Sequence, residues 1–146
     1  MKVPILEKEW LGATREIVHL KIVGKNINFE TDAMIDTGSP DTFLSYTDLK
    51  AKTRIPYTSY KKEKLVAIGN TKMYMINLGM GKLIFQDKDN KSVSIDHSLL
   101  GGIPTNPNST AVYIIPTILG KDFLDEHSLN IVGKPGRKYL IEYEGD

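Results

Sequence analysis

The sequence contains no cysteine among its 146 residues. A disulfide scaffold, a thiol nucleophile and a thiolate metal site are therefore excluded. Histidine is also scarce, and His19, His97 and His127 lie far apart in the sequence without metal-ligand spacing. A glycine-rich phosphate-binding loop is missing as well. The sequence therefore predicts no metal site and no bound cofactor.

An excess of one charge is missing too, since the formal net charge is +1 at pH 7. Lys61, Lys62 and Lys64 are neighbours, but Glu63 interrupts them and no aromatic platform accompanies them. This pattern favours a solvated face over a nucleic-acid interface. We therefore expect no nucleic acid among the partners.

Long hydrophobic runs are absent from the sequence. The longest, AVYIIPTIL at 111–119, contains Pro116 and is too short to span a bilayer. The apolar part of the N-terminal MKVPILEKEW is too short for a signal peptide. We therefore expect a soluble, cytoplasmic protein that does not insert into a membrane.

What is present is the composition of an ordinary globular protein, with 40% apolar and 25% charged residues. A chain of this length can bury one hydrophobic core but is short for a two-lobed enzyme. The sequence shows no internal repeat that would indicate a duplicated domain. We predict a single domain over residues 1–146.

Alternating apolar and polar residues predict two half-buried strands, at Arg15–Val23 and Ile27–Ile35, joined by a turn. A short helix is expected at Ser45–Thr53, with Ser45 or Thr47 as its cap. The two strands would form a hairpin that places Asp36 at a strand end.

Short segments of strand-like composition follow, separated by turn residues. Residues 79–81 are expected to form a turn or bulge, residues 100–110 a loop and residues 121–127 a short helix. Many short strands with two brief helices predict a mostly β barrel or sandwich. The further predicted strands are Lys64–Ile68, Thr71–Leu78, Lys82–Gln86, Ser92–Asp96, Ala111–Leu119 and Tyr139–Tyr143.

The most informative motif is Asp36-Thr37-Gly38-Ser39, which directly follows the apolar residues of the second strand. A bare Asp-Thr-Gly arises by chance in roughly a few per cent of chains this long, so the motif alone is weak. Its context strengthens it, because Ile118-Leu119-Gly120 lies far downstream at the head of a predicted helix.

These two motifs, in this order and spacing, resemble those of the retropepsin-like aspartic proteases, the family of retroviral proteases and their single-domain cellular and prokaryotic relatives. The resemblance is carried by VHLKIVGKNINFETDAMIDTGSPDTFLS and TILGKDFLDEHSLNIV, and it extends from about Arg15 to Tyr143. It implies a closed β barrel with a ψ-shaped active-site loop. Leu119 and Gly120 would then lie beside the Asp36 loop.

The resemblance also implies a role for each residue of the motif. Asp36 would be the catalytic carboxylate, and Thr37 would hydrogen-bond across to the loop of a partner chain. Gly38 would let the backbone approach the carboxylates closely, and Ser39 would support the outer carboxylate oxygen. Peptide hydrolysis without a metal needs a base and an acid together, and two close carboxylates sharing one proton supply both.

Two further groups of residues follow from the resemblance, each with a plainer alternative. Ile68, Gly69 and Asn70 would form the tip of a flap that closes over substrate, or else a plain surface hairpin. An apolar substrate pocket, for which core packing is the alternative, would be lined by Met34, Phe43, Ile115 and Ile118.

The sequence departs from the retroviral pattern at Pro40 and Lys121, where an acid and an arginine would form a pair. It is closer to the cellular and prokaryotic members, with a helix after the Asp-Thr-Gly loop. The bracing of the loop and the contacts between subunits are therefore expected to differ from those of the retroviral enzymes.

The second carboxylate is expected from a second copy of the chain, since the sequence has one Asp-Thr-Gly and no repeat. Asp32 lies four strand residues away, roughly 13 Å. Asp41 and Asp122 lack the Thr-Gly turn and are expected to be a solvated loop acid and a helix cap. Additional dimer interface is expected from the terminal segment, Arg137–Tyr143.

The sequence thus predicts a homodimeric aspartic endopeptidase that acts on peptide or protein substrates. Two alternatives stay open at this point. One is a catalytically silent module of the same fold that dimerises or binds peptides. The other is an unrelated small β-barrel binding domain with a chance Asp-Thr-Gly, in which Asp36 and Leu119 would be distant.

Overall fold

The computed structural model describes residues 1–10, 12–68, 71–106, 108 and 110–142. The chain is mostly β, with two short α-helices and two short 3₁₀ helices at Tyr57–Ser59 and Ala111–Ile114. The α-helices are α1 (Tyr46–Lys52) and α2 (Lys121–Glu126). The strands are β1 (Lys2–Trp10), β2 (Ala13–Gly24), β3 (Ile27–Ile35), β4 (Phe43–Leu44), β5 (Lys62–Ile68), β6 (Thr71–Gln86), β7 (Ser92–Pro104), β8 (Ile118–Leu119), β9 (Leu129–Lys134) and β10 (Arg137–Glu142).

The predicted hairpin of β2 and β3 is confirmed, and its register runs from Ile17 opposite Met34 to Gly24 opposite Ile27. Its turn contains Asn26 at φ 61°, a left-handed conformation that asparagine adopts more readily than most residues. Alternate residues of both strands are buried, as a period of two requires. The hairpin therefore brings one apolar face into the core and delivers Asp36 at the end of β3.

Six strands form a closed ring of hydrogen-bonded neighbours, in the order β6, β7, β4, β8, β3 and β2. The ring closes because β6 pairs with β7 along one edge and, through Lys82–Ile84, with β2 along the other. The first half of β6 uses that second edge to pair with β5 instead. The β5–β6 hairpin thus extends beyond the ring, and the ring itself agrees with the closed arrangement that the sequence implies.

The two ends of the chain pair with each other outside this ring. β1 is shared between two neighbours, with Lys2–Ile5 paired to β10 and Leu6–Trp10 paired to β2. β10 lies between β1 and β9, so both of its edges are used within the chain. The sequence did not predict β1 or β9.

The buried apolar side chains form two clusters. The larger fills the ring and includes Leu20, Phe85 and Phe123, which are at most 1% exposed. The smaller contains residues of β3, β4 and β8, and it also includes Ile17, Met73 and Met75. This second cluster supports the surface from which the Asp36 loop emerges.

Two predicted elements are wrong. The apolar stretch Ala111–Leu119 is a 3₁₀ turn followed by an extended segment, and only Ile118–Leu119 is strand, because Pro116 lacks the N–H that a continuous ladder needs. Residues 100–104, expected in a loop, belong to β7. The predicted turn or bulge at 79–81 is a bulge, with a register shift between Asn77 and Gly79 and Gly79 at φ 82°.

Among the residues that the structure describes, no helix is long and apolar enough to cross a membrane.

Candidate active site

The Asp36 loop is held by a strand inserted between its two ends. β8 pairs in parallel with β3, through Met34 opposite Ile118, and antiparallel with β4, through Phe43 opposite Ile118. Since β3 and β4 are the strands that the loop connects, β8 completes a ψ-shaped arrangement around it. The backbone N–H of Asp36 donates to the carbonyl of Leu119 at 3.0 Å, which ties the start of the loop to β8.

The loop turns sharply directly after the carboxylate. The N–H of Gly38 donates to Asp36 Oδ1 at 2.9 Å, and the N–H of Ser39 donates to the Asp36 carbonyl at 3.1 Å. Thr37 and Gly38 are exposed, while Asp36 is half-buried. The carboxylate is therefore oriented by the Gly38 N–H at a surface that a substrate or a second chain can reach.

Gly120 allows the loop and β8 to approach each other closely. A Cβ at this position would lie 2.3 Å from the Asp41 carbonyl oxygen and 2.7 Å from that of Ser39. Such distances are far inside van der Waals contact, so any side chain would push the loop away. The next residue, Lys121, uses this proximity to donate its N–H to the Ser39 carbonyl at 2.7 Å.

Ser39 supports the loop differently from the sequence prediction. Its hydroxyl donates to the Asp41 carbonyl at 2.8 Å, and its side chain is buried, so the hydroxyl braces the loop from within. The expected contact with the outer oxygen of Asp36 is not the bond that the structure contains. Thr42 adds a second brace, because its hydroxyl accepts from the Gly120 N–H at 2.9 Å.

A buried polar network beneath the loop was missed from the sequence. Asp48 Oδ2 accepts from the hydroxyls of Thr31 and Thr117, each at 2.7 Å, and the Thr117 hydroxyl accepts from the N–H of Ser45 at 2.9 Å. Ser45 in turn caps α1 by accepting from the Asp48 N–H at 3.0 Å, which confirms one of its two predicted caps. The sequence signal for this network was weak, because threonine and serine are common residues and these ones are spread across the chain.

The other acids near the loop are engaged elsewhere. Asp41 pairs with Lys64 of β5 at 2.7 Å and has a side chain only 17% exposed, so it is not the solvated acid expected. Asp122 accepts from the Thr42 hydroxyl at 2.7 Å and from the Phe123 N–H at 2.8 Å in the first turn of α2, whose N-cap is Gly120. Neither side chain is oriented as a partner for Asp36.

Asp32 also faces away from this site, toward the outer side of the β2–β3 hairpin. His19 Nδ1 and Lys8 Nζ lie 2.8 and 3.2 Å from its carboxylate oxygens. Burial raises the pKa of Asp32, but the hydrogen bonds from His19 and Lys8 outweigh it and lower the pKa below its ordinary value. His19 and Lys8 therefore favour the ionised form of Asp32, which stabilises the outer side of the hairpin and not the Asp36 loop.

Comparison with known proteins identifies the fold. No protein-family profile and no curated protein matches the sequence. Among solved structures, the crystal structure of a retropepsin-like aspartic protease from Rickettsia conorii matches with a TM-score of 0.54 and 14% identity, covering 93% of this chain and 86% of that one. The chain has a retropepsin-like fold. The proximity of Asp36 and Leu119 also argues against an unrelated barrel with a chance motif.

The residues predicted to form a flap lie at the end of the β5–β6 hairpin, which extends beyond the ring. Ile68 pairs with Thr71 at the described end of the hairpin, and the predicted tip residues Gly69 and Asn70 lie outside the described residues. Most of β5 is exposed, and β6 is its only paired neighbour among the strands that the structure describes. The ion pair of Lys64 with Asp41 links the base of this hairpin to the Asp36 loop.

The four predicted pocket residues are gathered in the second apolar cluster. Phe43 and Ile118 are 0% exposed, and Met34 and Ile115 are 5% and 7% exposed. In the single chain all four therefore pack in the core, which was the alternative interpretation. The exposed apolar side chains beside them are Tyr113 and Ile114, which the sequence analysis did not single out.

Tyr113 borders a cluster of aromatic rings. Its ring centroid lies 5.7 Å from that of Tyr46, whose hydroxyl is 3.2 Å from the hydroxyl of Tyr57. The hydrogen bond with Tyr57, together with burial, raises the pKa of Tyr46 to about 12. Tyr46 therefore stays protonated and packs as a neutral ring under the exposed side chains.

The structure revises the expectation for the terminal segment. Arg137–Glu142 is β10, flanked on both edges by β1 and β9, and Tyr143 lies outside the described residues. This strand therefore has no free backbone edge for a second chain. Any contact that it makes with a partner would have to use side chains.

Two of the three histidines that lie far apart in the sequence, His97 and His127, come together in the fold. His97 Nδ1 is 2.9 Å from His127 Nε2, although 30 positions separate the residues in sequence. β7 carries His97 to the C-terminal end of α2, where His127 is the cap residue. His19 stays apart and contacts Asp32 and Glu30 on the neighbouring strand of its own hairpin, β3.

Proposed function

We propose that the chain is an aspartic endopeptidase that acts as a homodimer, with Asp36 of each chain forming one catalytic pair. The observation that carries the proposal is the placement of Asp36. A ψ-shaped frame holds its carboxylate at an accessible surface, oriented by the Gly38 N–H. Hydrogen bonds from Asp36 to Leu119, from Lys121 to Ser39 and from Gly120 to Thr42 hold the frame. Among the described residues no second carboxylate partners Asp36, so a second copy of the chain is the proposed source of the other carboxylate.

The proposed chemistry uses the two carboxylates in complementary states. The ionised carboxylate removes a proton from a bound water, whose oxygen attacks the carbonyl carbon of the peptide bond. The protonated carboxyl gives its proton to the carbonyl oxygen, so a tetrahedral diol forms. Collapse of the diol breaks the C–N bond, and the amine leaves with a proton from one carboxyl. A hydroxyl of the diol gives its proton to the other carboxylate as the product carboxyl group forms, so the pair again shares a single proton.

Two exposed apolar side chains support a role in binding substrate. Tyr113 and Ile114 are 43% and 57% exposed; the Tyr113 ring packs on Tyr46 of the second cluster, and Ile114 directly precedes Ile115 of that cluster. In the proposed complex they contact apolar side chains that flank the cleaved bond. The β5–β6 hairpin lies over the bound peptide from the other side and excludes water.

The test compares the wild type with Asp36→Asn on a diverse peptide library across pH, with products read by mass spectrometry. Asp32→Asn is the matched control, since it changes an acid on the same strand that faces away from the loop. We expect cleavage by the wild type and the control and none by Asp36→Asn. Cleavage by all three proteins would contradict the role of Asp36. Peptide binding without cleavage by any of them would indicate a silent peptide-binding module instead.

The pH profile adds a mechanistic readout. A pair of close carboxylates loses its two protons in separated steps, so activity requires an intermediate pH at which one proton is shared. We expect a bell-shaped profile of kcat/KM. A flat profile would contradict the shared proton.

A further inference from the structure

A cluster of potential metal ligands lies outside the proposed active site. It consists of His97 on β7, Glu126 at the end of α2 and the cap residue His127, with one ligand atom of each within 4.8 Å of the others. His97 Nδ1 is 2.9 Å from His127 Nε2 and 3.3 Å from Glu126 Oε2. Two imidazoles and a carboxylate are a typical ligand set for Zn²⁺.

The distances are close to those that a bound ion needs. Two Zn–N bonds of about 2.0 to 2.1 Å at a tetrahedral angle place the nitrogens about 3.3 Å apart. The pair of imidazole nitrogens would therefore have to separate by about 0.4 Å, whereas the carboxylate already lies at a suitable distance. His127 can supply this movement, because it is the half-buried residue at the end of a helix.

The remaining nitrogen of His97 is already held by an acid. Nε2 lies 3.2 Å from Asp122 Oδ2, and the other oxygen of that carboxylate accepts from Thr42. A neutral His97 that donates its Nε2–H to Asp122 presents a bare Nδ1 lone pair to the cluster. Metal-ligating histidines are oriented in this way by a carboxylate behind the ring.

The cluster is packed against the protein core on one side and is open to solvent on the other. His97 is 1% exposed, and the Phe123 ring contacts both imidazoles, at centroid distances of 5.3 and 5.2 Å. The side chain of Glu126 is 63% exposed. An ion can therefore enter from solvent, keep a water as its fourth ligand, and find two of its ligands positioned by packing.

We propose that His97, Glu126 and His127 bind one Zn²⁺ per chain, with Asp122 as the positioning residue behind His97. The ion joins β7 to the end of α2, and so stabilises the folded chain. The site is separate from Asp36 and has no step in peptide hydrolysis. It is connected to the ψ arrangement only through Asp122 and Thr42, whose hydroxyl also accepts from the Gly120 N–H.

The experiment adds ZnCl₂ to chelator-treated full-length protein and measures binding by calorimetry and the change in Tm. We expect one saturable equivalent per chain and a rise in Tm with Zn²⁺ concentration, as for any ligand that binds only the folded state. Glu126→Gln and His127→Gln, both at accessible positions, should each weaken binding at least about tenfold. His19→Gln is the matched control, and it should bind as the wild type does.

A second readout does not depend on stability. In ring-nitrogen NMR spectra, Zn²⁺ should shift Nδ1 of His97 and Nε2 of His127 and leave His19 unchanged. Asp122→Asn should weaken Zn²⁺ binding about ten- to a hundredfold, and it should alter the Nε2–H signal of His97. The proposal is overturned by absence of saturable binding, by full binding in both site variants, or by loss of binding in His19→Gln.

Discussion

The Thr117 hydroxyl donates a 2.7 Å hydrogen bond to Asp48 Oδ2, which joins the segment leading into β8 to helix α1. The same oxygen accepts from Thr31, so one buried carboxylate holds two hydroxyls from elements on either side of it. Asp48 is 6% exposed. The position of β8, and with it that of the Asp36 loop, therefore depends on a residue that does not touch the loop.

The first prediction concerns this buried carboxylate. Asp48→Ala leaves two buried hydroxyls without their acceptor, and we expect the free energy of unfolding to fall by about 2 to 4 kcal/mol. Asp48→Asn keeps an acceptor oxygen and should cost less. The measurement is denaturant unfolding, with Lys52→Met as control, because Lys52 is a largely exposed partner of Asp48 whose loss should cost about 1 kcal/mol or less. Equal losses for Asp48→Ala and Lys52→Met would contradict the network.

The second prediction tests the close approach at Gly120. Gly120→Ala forces a Cβ against the Asp41 and Ser39 carbonyls, so the loop must move, and we expect a loss of about 2 kcal/mol or more in stability. Peptidase activity should fall as well. The control is Gly24→Ala, where the nearest atom is a flexible Ile27 methyl at 3.4 Å, and a change of about 1 kcal/mol or less is expected. A stable, fully active Gly120→Ala variant would show that the loop is not constrained there.

The third prediction concerns pH and Asp32. Because the folded-state pKa of Asp32 lies below its ordinary value of 3.8, the group stabilises the fold above that pH and loses this contribution as pH falls through the folded-state pKa. The stability difference between wild type and Asp32→Asn should therefore be largest near neutral pH and disappear in acid. Chemical denaturation at a series of pH values measures it. With His19→Gln as background the difference should shrink, and a difference independent of pH would refute the assignment.

The fourth prediction follows from the proposed shared site. When wild type and Asp36→Asn chains are mixed in equal amounts and equilibrated, random pairing leaves about half of the wild-type chains in dimers with two normal carboxylates. Activity per wild-type chain should therefore fall to about one half, and specific activity should also decline on dilution below the dimer dissociation constant. Mixing with Asp32→Asn is the control and should not inhibit. Undiminished activity, or a fully active monomer by sedimentation, would refute the dimeric site.

The fifth prediction concerns the β5–β6 hairpin. Most of β5 is exposed, with only Val66 and Ile68 partly buried, and among the described residues it pairs on one side only, so its backbone should open at low free energy in the free protein. A non-cleavable peptide with the sequence of an observed cleavage site should slow hydrogen exchange in Lys62–Ile68. Exchange in β2, inside the ring, serves as the reference and should change little. Equal protection of β5 with and without the peptide would mean that the hairpin is not a flap.

The parts of the fold that could be predicted are those with a local signal. Apolar and polar residues alternate along most of the β2–β3 hairpin, and the Ser45 cap has the right residue directly before a helical pattern. The link between Asp36 and Leu119 was implied by the resemblance of two short motifs to those of the retropepsin-like aspartic proteases, and not by propensity. In each case a few neighbouring residues carried the information.

The parts that could not be predicted depend on contacts between distant residues. β1 contains Pro4 and many charges, and becomes a strand through pairing with β10 near the other end of the chain. The contact of His97 with His127 has no spacing that a sequence motif could reveal. The burial of Phe43 and Ile118 follows from their pairing across β4 and β8, so composition alone could not separate pocket from core.

The ψ arrangement also determines when the site can form during synthesis. β8 lies between β3 and β4, yet it follows them by more than seventy positions in the sequence. Until Leu119 has been made, the Asp36 N–H has no carbonyl to bind, and β3 and β4 have no strand between them. Folds built on such long-range pairings fold slowly, in about milliseconds to seconds. A nascent chain therefore carries its Asp-Thr-Gly motif without the frame that orients it, and it can acquire that frame only after Ile118 and Leu119 have been synthesised.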